Sequence, residues 1–310
     1  VHAPGVQLRL LDLDAPTFRL AYDQVANGTL WFLYHGLFDL TRRPRFDRRW
    51  REAWEAYEAV NVAFTEATAE VAGDADRVLI QDMHLALVPG MLRARRPDLR
   101  LTHFTHTSFC GPNSIRVLPT RAATALCASM ASVPCGFHAR RWARAFEASA
   151  REVLDDEVGI PPTFVAPLGP DPDALETLAA SDAARAAATE LDALIGDRAM
   201  VLRVDRIDPS KNIVRGFLAY DLLLETRPEW RERVVFVARL NASRESLAEY
   251  QAYRQEVEST AERVNERWAT RDWTPVLLDA ADDYPKTMAA MGRYDVLLVN
   301  AVKDGLNLVA

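Results

Sequence analysis

Glycine is scarce in this chain and never clustered. Its 13 glycines among 310 residues lie at least eight positions apart, Gly28 and Gly36 forming the tightest pair. The closely spaced glycines of a GxGxxG dinucleotide turn or a Walker phosphate loop are therefore absent, and so is a GxSxG nucleophile elbow. A nicotinamide dehydrogenase or a P-loop enzyme is not expected. Cysteine is scarcer still. Cys110, Cys127 and Cys135 are odd in number and lack CxxC spacing, so they read as reduced cytosolic thiols, neither a disulfide framework nor a metal set. No run reaches the ~20 apolar residues of a membrane span. The opening VHAPGVQLRL has no charged region leading into an apolar one, so no signal peptide is expected. Basic charge is also not in excess: 37 Lys and Arg stand against 44 Asp and Glu, a formal net charge of −7, with no long basic run. Non-specific binding of nucleic acid is excluded on that balance, and any phosphate must be held by a local seat. The bulk reading is a cytoplasmic protein with neither a membrane nor a nucleic-acid partner.

What is present is a large apolar fraction, 49% of residues, ample for buried cores. At ~150 residues per domain the length predicts two domains. Apolar runs rich in β-branched residues, at 77–81, 100–105, 199–204, 233–238, 274–279 and 294–299, alternate with helical patterns near 84–96, 120–131, 139–154, 211–226, 246–268 and 284–291. That alternation predicts parallel sheets covered on both faces, hence an α/β protein of two doubly wound halves around a cleft. Long helical segments are expected at 15–36 and 46–72, the second with Trp50, Trp54, Tyr57 and Val60 at core-facing spacing. A proline-rich connector and an alanine-rich helix, 174–195, place the domain joint within 158–197. Ligands of such folds sit outside the C-terminal strand ends.

Polar residues gather at those ends. In LRVDRIDPSKNI, residues 202–213, a strand delivers Arg206, and Asp208 or Ser210 is expected to cap a helix opening near Lys211. A helix N-terminus beside an arginine fork and a lysine point charge makes an anion seat. A surface cap with Arg206 paired to Asp208 explains the same spacing, and the residues alone leave both readings open. Asp82 and His84 follow one strand and His106 follows the next, so they should share a rim. His103 and His106 point to opposite faces and no further ligand cluster appears, so no metal is expected and His103 reads as a structural histidine. Arg244 stands at another strand-to-helix turn. Lys303, Asp304 and Gly305 close the last strand, where Asp304 can accept bonds from sugar hydroxyls and Gly305 permits close backbone approach.

Six stretches in order, WEAYEAVN (54–61), LIQDMH (79–84), HFTHTSF with RVLP (103–109, 116–119), VDRIDPSKN (204–212), NASR (241–244) and KDGLNLVA (303–310), resemble the trehalose-6-phosphate synthases, glycosyltransferase family 20. The likeness is to the actinobacterial branch. It implies a GT-B glycosyltransferase, two Rossmann-like doubly wound domains facing a cleft, here 1–168 for the acceptor and 169–310 for the nucleotide sugar. It implies a retaining enzyme moving glucose from GDP- or UDP-glucose to glucose 6-phosphate, with front-face attack, no carboxylate nucleophile, and no cofactor or metal. Arg206 and Lys211 would hold the donor diphosphate. His106, Asp304 and the Gly305, Leu306, Asn307 and Leu308 backbone would hold the donor sugar. Trp54 and Asp82 would line the acceptor and Arg244 would take its 6-phosphate. The loop DAADDYPKT, 279–287, lies where the base binds; Asp282 or Asp283 could accept from guanine N1–H and its amine, and the competing reading is a pair of solvated helix-capping carboxylates.

The family pattern also has an N-terminal strand and glycine-rich loop with a phosphate-binding arginine, and, beyond NLVA, a ribose-binding glutamate. Neither lies within these residues, and Gly36 stands where some members carry tyrosine. The expectation is a portion of the enzyme with a half-built donor site, catalytically deficient as it stands. The alternatives are a pseudo-glycosyltransferase joining a nucleotide cyclitol to an aminocyclitol phosphate, and a non-catalytic phosphosugar-binding module. Homo-oligomer formation is left open.

Overall fold

The computed structural model describes residues 5–40, 42–43, 45–155, 159 and 163–310. Residues 1–4 of the opening stretch, and 158 and 160–162 of the expected connector, lie outside them. The chain divides into two compact units, the first ending at Pro167 and the second running from Leu168 to Ala310.

The first unit opens on helix. Asp14 caps α1 (Ala15–Arg19) by accepting from the Thr17 N–H at 3.0 Å. The path widens into a π-helical stretch, Leu20–Leu30, and returns to α2 (Trp31–His35). The single helix expected at 15–36 is thus three joined pieces. Gly36 ends it with φ 70°, a left-handed C-terminal turn where glycine carries no Cβ penalty. A tyrosine at this position would be strained by ~1 kcal/mol or more. Asp47 caps α3 (Arg48–Val71), whose Trp50, Ala53, Trp54, Tyr57 and Val60 recur at helical spacing and are buried.

Four parallel strands follow in spatial order β1 (Arg77–Gln81), β2 (Arg100–Thr105), β3 (Cys135–Phe137) and β4 (Phe164–Val165). Their crossovers carry α4 (Val88–Arg95), the short α5 (Pro112–Ile115), α6 (Thr120–Ala131) and α7 (Arg140–Val153). Strands β3 and β4 were not expected. The first is Cys-Gly-Phe, without a β-branched residue, and Gly136 is required there: a Cβ would lie within 2.6 Å of the Phe104 and Phe164 rings.

In the second unit the predicted helix at 174–195 is two helices, α8 (Pro172–Ala179) and α9 (Asp182–Ile195). Ser181 breaks it by accepting from the Ala184 N–H as the cap of α9. The sheet is again all parallel, in order β7 (Val276–Asp279), β6 (Val234–Asn241), β5 (Ala199–Arg206) and β8 (Val296–Leu297). Helices α10 (Ile213–Thr226), α11 (Ala248–Trp268) and α12 (Tyr284–Met291) cross between the strands. Strand β6 is buried from Val234 to Leu240, as a central strand covered on both faces must be. Its Phe236 meets the rings of Phe217 and Tyr220 at 5.1 and 5.3 Å. In both units helices cross between the parallel strands, and polar residues follow the C-terminal ends of the inner strands.

Candidate active site

In the first unit β1 and β2 lie side by side and in parallel, so the residues just past them share one edge. Asp82 follows β1, and its carboxylate accepts from the His106 N–H at 3.2 Å just past β2. The expected rim is therefore present. His106 bridges two residues that spacing did not reveal: its Nδ1 lies 3.2 Å from Nε2 of His138, and its Nε2 lies 2.7 Å from Oε1 of Gln81. Burial, then the nearby His106, holds His138 below the ordinary histidine range.

Asp82 has φ 63° and ψ 176°, a region that essentially only glycine occupies. Its neighbours over-determine it. The Asp82 N–H donates to the Phe104 carbonyl at 2.7 Å, and the Asp82 carbonyl accepts from His103 Nε2 at 3.1 Å. His103 is thus the structural histidine the sequence predicts. It is fully buried, and desolvation pushes its pKa down to about 4. Trp54, expected along the acceptor, is buried in the aromatic stripe of α3, stacked on Trp50 at 5.6 Å, and its indole N–H donates to Glu58 at 2.8 Å.

The second unit holds the cations. Arg206 ends β5, half-exposed, with Nη2 3.0 Å from Oδ2 of Asp208. The expected cap is not there. Residues Pro209–Lys211 form a single 3₁₀ turn, α10 starts only after Asn212 in a left-handed conformation, and neither Asp208 nor Ser210 caps it. The first amide of α10, Ile213 N–H, donates to the Tyr253 hydroxyl at 2.7 Å. The seat is therefore made by side chains rather than by a helix end. Asp208 is completely buried, its other oxygen 3.6 Å from Arg244 Nη1, which also donates to the Tyr250 hydroxyl at 3.0 Å. Arg206 and Arg244, read separately from the sequence, meet across one carboxylate.

Lys211 is the best-defined member. Its side chain is 10% exposed, and its ammonium donates to Asp304 Oδ2 at 2.9 Å and lies 3.1 Å from Asp205 Oδ1. Asn307 donates to the same Asp304 oxygen at 3.2 Å. Gly305 is buried beside them, Leu306 and Asn307 are half-buried, and Leu308 is exposed. Beneath the lysine lies a residue that sequence reasoning missed, Arg203. It is fully buried, with Nη2 2.9 Å from Asp205 Oδ2 and bonded to the Lys211 carbonyl, and Nη1 2.5 Å from Asn300 Oδ1. Burial pushes the Asp205 carboxyl up, against the pull of Lys211 and Arg203, and presses the Arg203 guanidinium down, against Asp205. The signal that could have found Arg203 is a charged pair at alternate positions of a covered strand, opposite a helix glycine.

At the loop before α12, Asp283 does what a capping residue does. It accepts from the Lys286 N–H at 3.0 Å, and this bond holds its pKa low. Asp282 stays exposed, accepting from Asn241 at 3.2 Å. Among the described residues no group of three or more His, Cys, Asp or Glu side chains is placed to hold a metal ion, and no helix is long and apolar enough to cross a membrane.

A family model described as Glycosyltransferase family 20 matches residues 6–310. The chain belongs to glycosyltransferase family 20. It is 31% identical over 317 residues to the alpha,alpha-trehalose-phosphate synthase (UDP-forming) of Schizosaccharomyces pombe, across 96% of this chain and 60% of that protein. It is 32% identical over 326 residues to the trehalose-6-phosphate synthase of Mycobacterium ulcerans, across 98% of this chain and 64% of that one. Two solved structures resemble it. A UDP-forming alpha,alpha-trehalose-phosphate synthase from Burkholderia vietnamiensis superposes with TM-score 0.86 at 28% identity, covering 96% of this chain and 66% of that one. An Escherichia coli structure described as bound with UDP-2-fluoro glucose does so with TM-score 0.87 at 27% identity, covering 96% and 67%. The chain thus spans a little under two thirds of the length of these curated relatives. The fold class of this family 20 chain is α/β of the GT-B type, with two Rossmann-like units.

Two outcomes are expected of the first-unit rim. His103 stays neutral when folded down to about pH 4 but takes a proton near pH 6.5 when unfolded. Its contribution is therefore complete above pH 6.5 and lost as the pH falls toward 4, by up to ~3 kcal/mol. Urea unfolding across that window should show the loss in the native protein and a flatter profile in His103→Gln. At Asp82, the usual order of substitutions should reverse, Asp82→Gly exceeding Asp82→Ala in stability by ~1–3 kcal/mol because only glycine relaxes the backbone. Thermal unfolding of the two variants measures it, and an alanine variant as stable as the glycine one would remove the strain argument.

Proposed function

We propose that the protein moves glucose from a nucleotide-diphosphate donor to glucose 6-phosphate with retention at the anomeric carbon, giving trehalose 6-phosphate. One observation supports this most: the nearly buried Lys211 ammonium, held between Asp205 and Asp304 at the C-terminal end of an inner strand, with Arg206 at the same end. Parallel doubly wound sheets bind nucleotides at that end. A buried ammonium shared by two carboxylates can exchange one of them for a phosphate oxygen.

In the proposed reaction the diphosphate takes the place of Asp304 on Lys211 and meets Arg206. Charge developing on the leaving group is then neutralised where it forms, which is commonly the largest catalytic contribution. Asp304, released from the lysine, accepts from hydroxyls of the donor glucose, with the Gly305–Leu308 backbone and His106 beside that sugar. The C1–O bond to phosphate breaks, and the acceptor hydroxyl adds on the same face, giving its proton to the departing phosphate oxygen. No carboxylate acts as a nucleophile, so the two-carboxylate arrangement of glycoside hydrolases has no counterpart. Asp82 positions the acceptor sugar and Arg244 its 6-phosphate. The two cations do the neutralising, and no metal is invoked. The relatives' names speak of UDP-forming enzymes. With Asp283 engaged as a cap, selection of guanine would rest on Asp282 alone.

The test is turnover by the full-length protein of UDP-glucose and GDP-glucose with glucose 6-phosphate, with product mass and anomeric configuration determined. Trehalose 6-phosphate should form, and Lys211→Ala or Arg206→Ala should lower kcat by ~10²–10³-fold. Asp282→Asn should reduce use of GDP-glucose and spare UDP-glucose if that carboxylate reads guanine; equal effects end the guanine reading. Binding of nucleotide without turnover would favour a phosphosugar-binding module. Coupling only of cyclitol substrates would favour the pseudo-glycosyltransferase.

A further inference from the structure

Arg203 touches neither a proposed substrate nor solvent, yet it is a charged side chain with no exposed surface. Its fork is committed in three directions: to Asp205 Oδ2 at 2.9 Å, to Asn300 Oδ1 at 2.5 Å and to the Lys211 carbonyl. Asp205, 5% exposed, turns its other oxygen to the Lys211 ammonium at 3.1 Å. Asn300 is tied back to the same turn, its carbonyl accepting from Asn212 Nδ2 at 3.0 Å. Gly216 of α10 makes room, since a Cβ there would lie 2.8 Å from Arg203 Nη1.

We infer that Arg203 is the positioning residue of the anion seat: it cancels the charge of Asp205, so that Asp205 can orient the Lys211 ammonium without repelling an incoming phosphate. The inference rests on the proposed reading of Lys211 as the diphosphate ligand. Without Arg203, Asp205 would be a buried carboxylate with one counter-ion. It would bind the lysine more strongly and oppose any anion brought beside it. With both charges removed together, the lysine loses an aiming contact but meets no repulsion.

That reasoning gives a test by charge compensation in the full-length protein, with UDP and GDP as probes in calorimetric titration. Arg203→Met should weaken binding about tenfold or more. The double variant Arg203→Met with Asp205→Asn should recover binding to within a few-fold of the native protein, although two buried groups are altered. A merely structural arginine would leave the double variant no better than the single one. If Arg203→Met does not fold, Gly216→Ala displaces the guanidinium with its charge retained and should weaken binding several-fold while the circular dichroism is unchanged. Binding unaffected by Arg203→Met or Gly216→Ala, or not recovered in the double variant, overturns the inference. Native protein that binds neither nucleotide overturns instead the reading of Lys211 on which it rests.

Discussion

Four charges buried together in the second unit set the terms for everything around them. Arg203, Asp205, Lys211 and Asp304 alternate in sign along a line of contacts between 2.9 and 3.1 Å. Each charge alone would be costly to remove from water, and a buried pair often only breaks even. The alternation lets each inner member face two partners of opposite sign, so the cluster is neutral as a whole and locally. The backbone arrangement follows from it. Arg203 and Asp205 sit two residues apart on β5 and share a face. The 3₁₀ turn brings Lys211 back over them, and the segment after β8 brings Asp304. Arg206, one residue beyond Asp205, belongs to the other face and takes Asp208.

The first unit builds its rim by different means. There hydrogen bonds and a strained backbone hold the groups. Asp82 keeps a glycine-like conformation because Phe104 and His103 engage its backbone on both sides. The neutral His103 is part of that arrangement, since a charged imidazole in this fully buried place would be expelled toward water. The result is a carboxylate aimed at the His106 amide and an imidazole held between Gln81 and His138. Strain of this kind persists only where surroundings fix it, and it gathers at functional sites.

These differences explain what was legible in the residues. Strands β1, β2, β5, β6 and β7 announce themselves as short apolar runs between helical patterns, and the central β6, covered on both faces, is continuously buried. Strand β3 does not, being three residues with a central glycine that only the Phe104 and Phe164 rings require. Asp82, His106, Lys211 and Asp304 draw attention in the sequence because polar residues after strands stand out against apolar ones. Arg203 and Asp205 do not, because inside LRVD they look like interruptions of a strand. Asn300, which Arg203 engages, and Asp304, which shares Lys211 with Asp205, lie nearly a hundred positions away from Arg203 and Lys211. The Asp-Pro-Ser turn misled for a local reason. It has the composition of a helix cap, but burial drew Asp208 between two arginines, and Asn212 began the helix instead.

The chemistry at the seat also bears on why a lysine, and not a third arginine, occupies position 211. Two of the three ammonium N–H directions face Asp205 and Asp304. An ammonium can give up one of these contacts and take a phosphate oxygen by rotating about its last bond, because its charge has no preferred plane. A guanidinium in the same place would have to turn its whole fork, breaking its bond to the orienting carboxylate as it did so. The arginine lies beneath, at 203, with its fork committed to Asp205, Asn300 and the Lys211 carbonyl, and the lysine lies above, where the proposed reaction exchanges one partner for another. On this view the carboxylate released by the exchange, Asp304, becomes available to sugar hydroxyls at the moment the diphosphate arrives, so recognition of the two halves of the donor is one event.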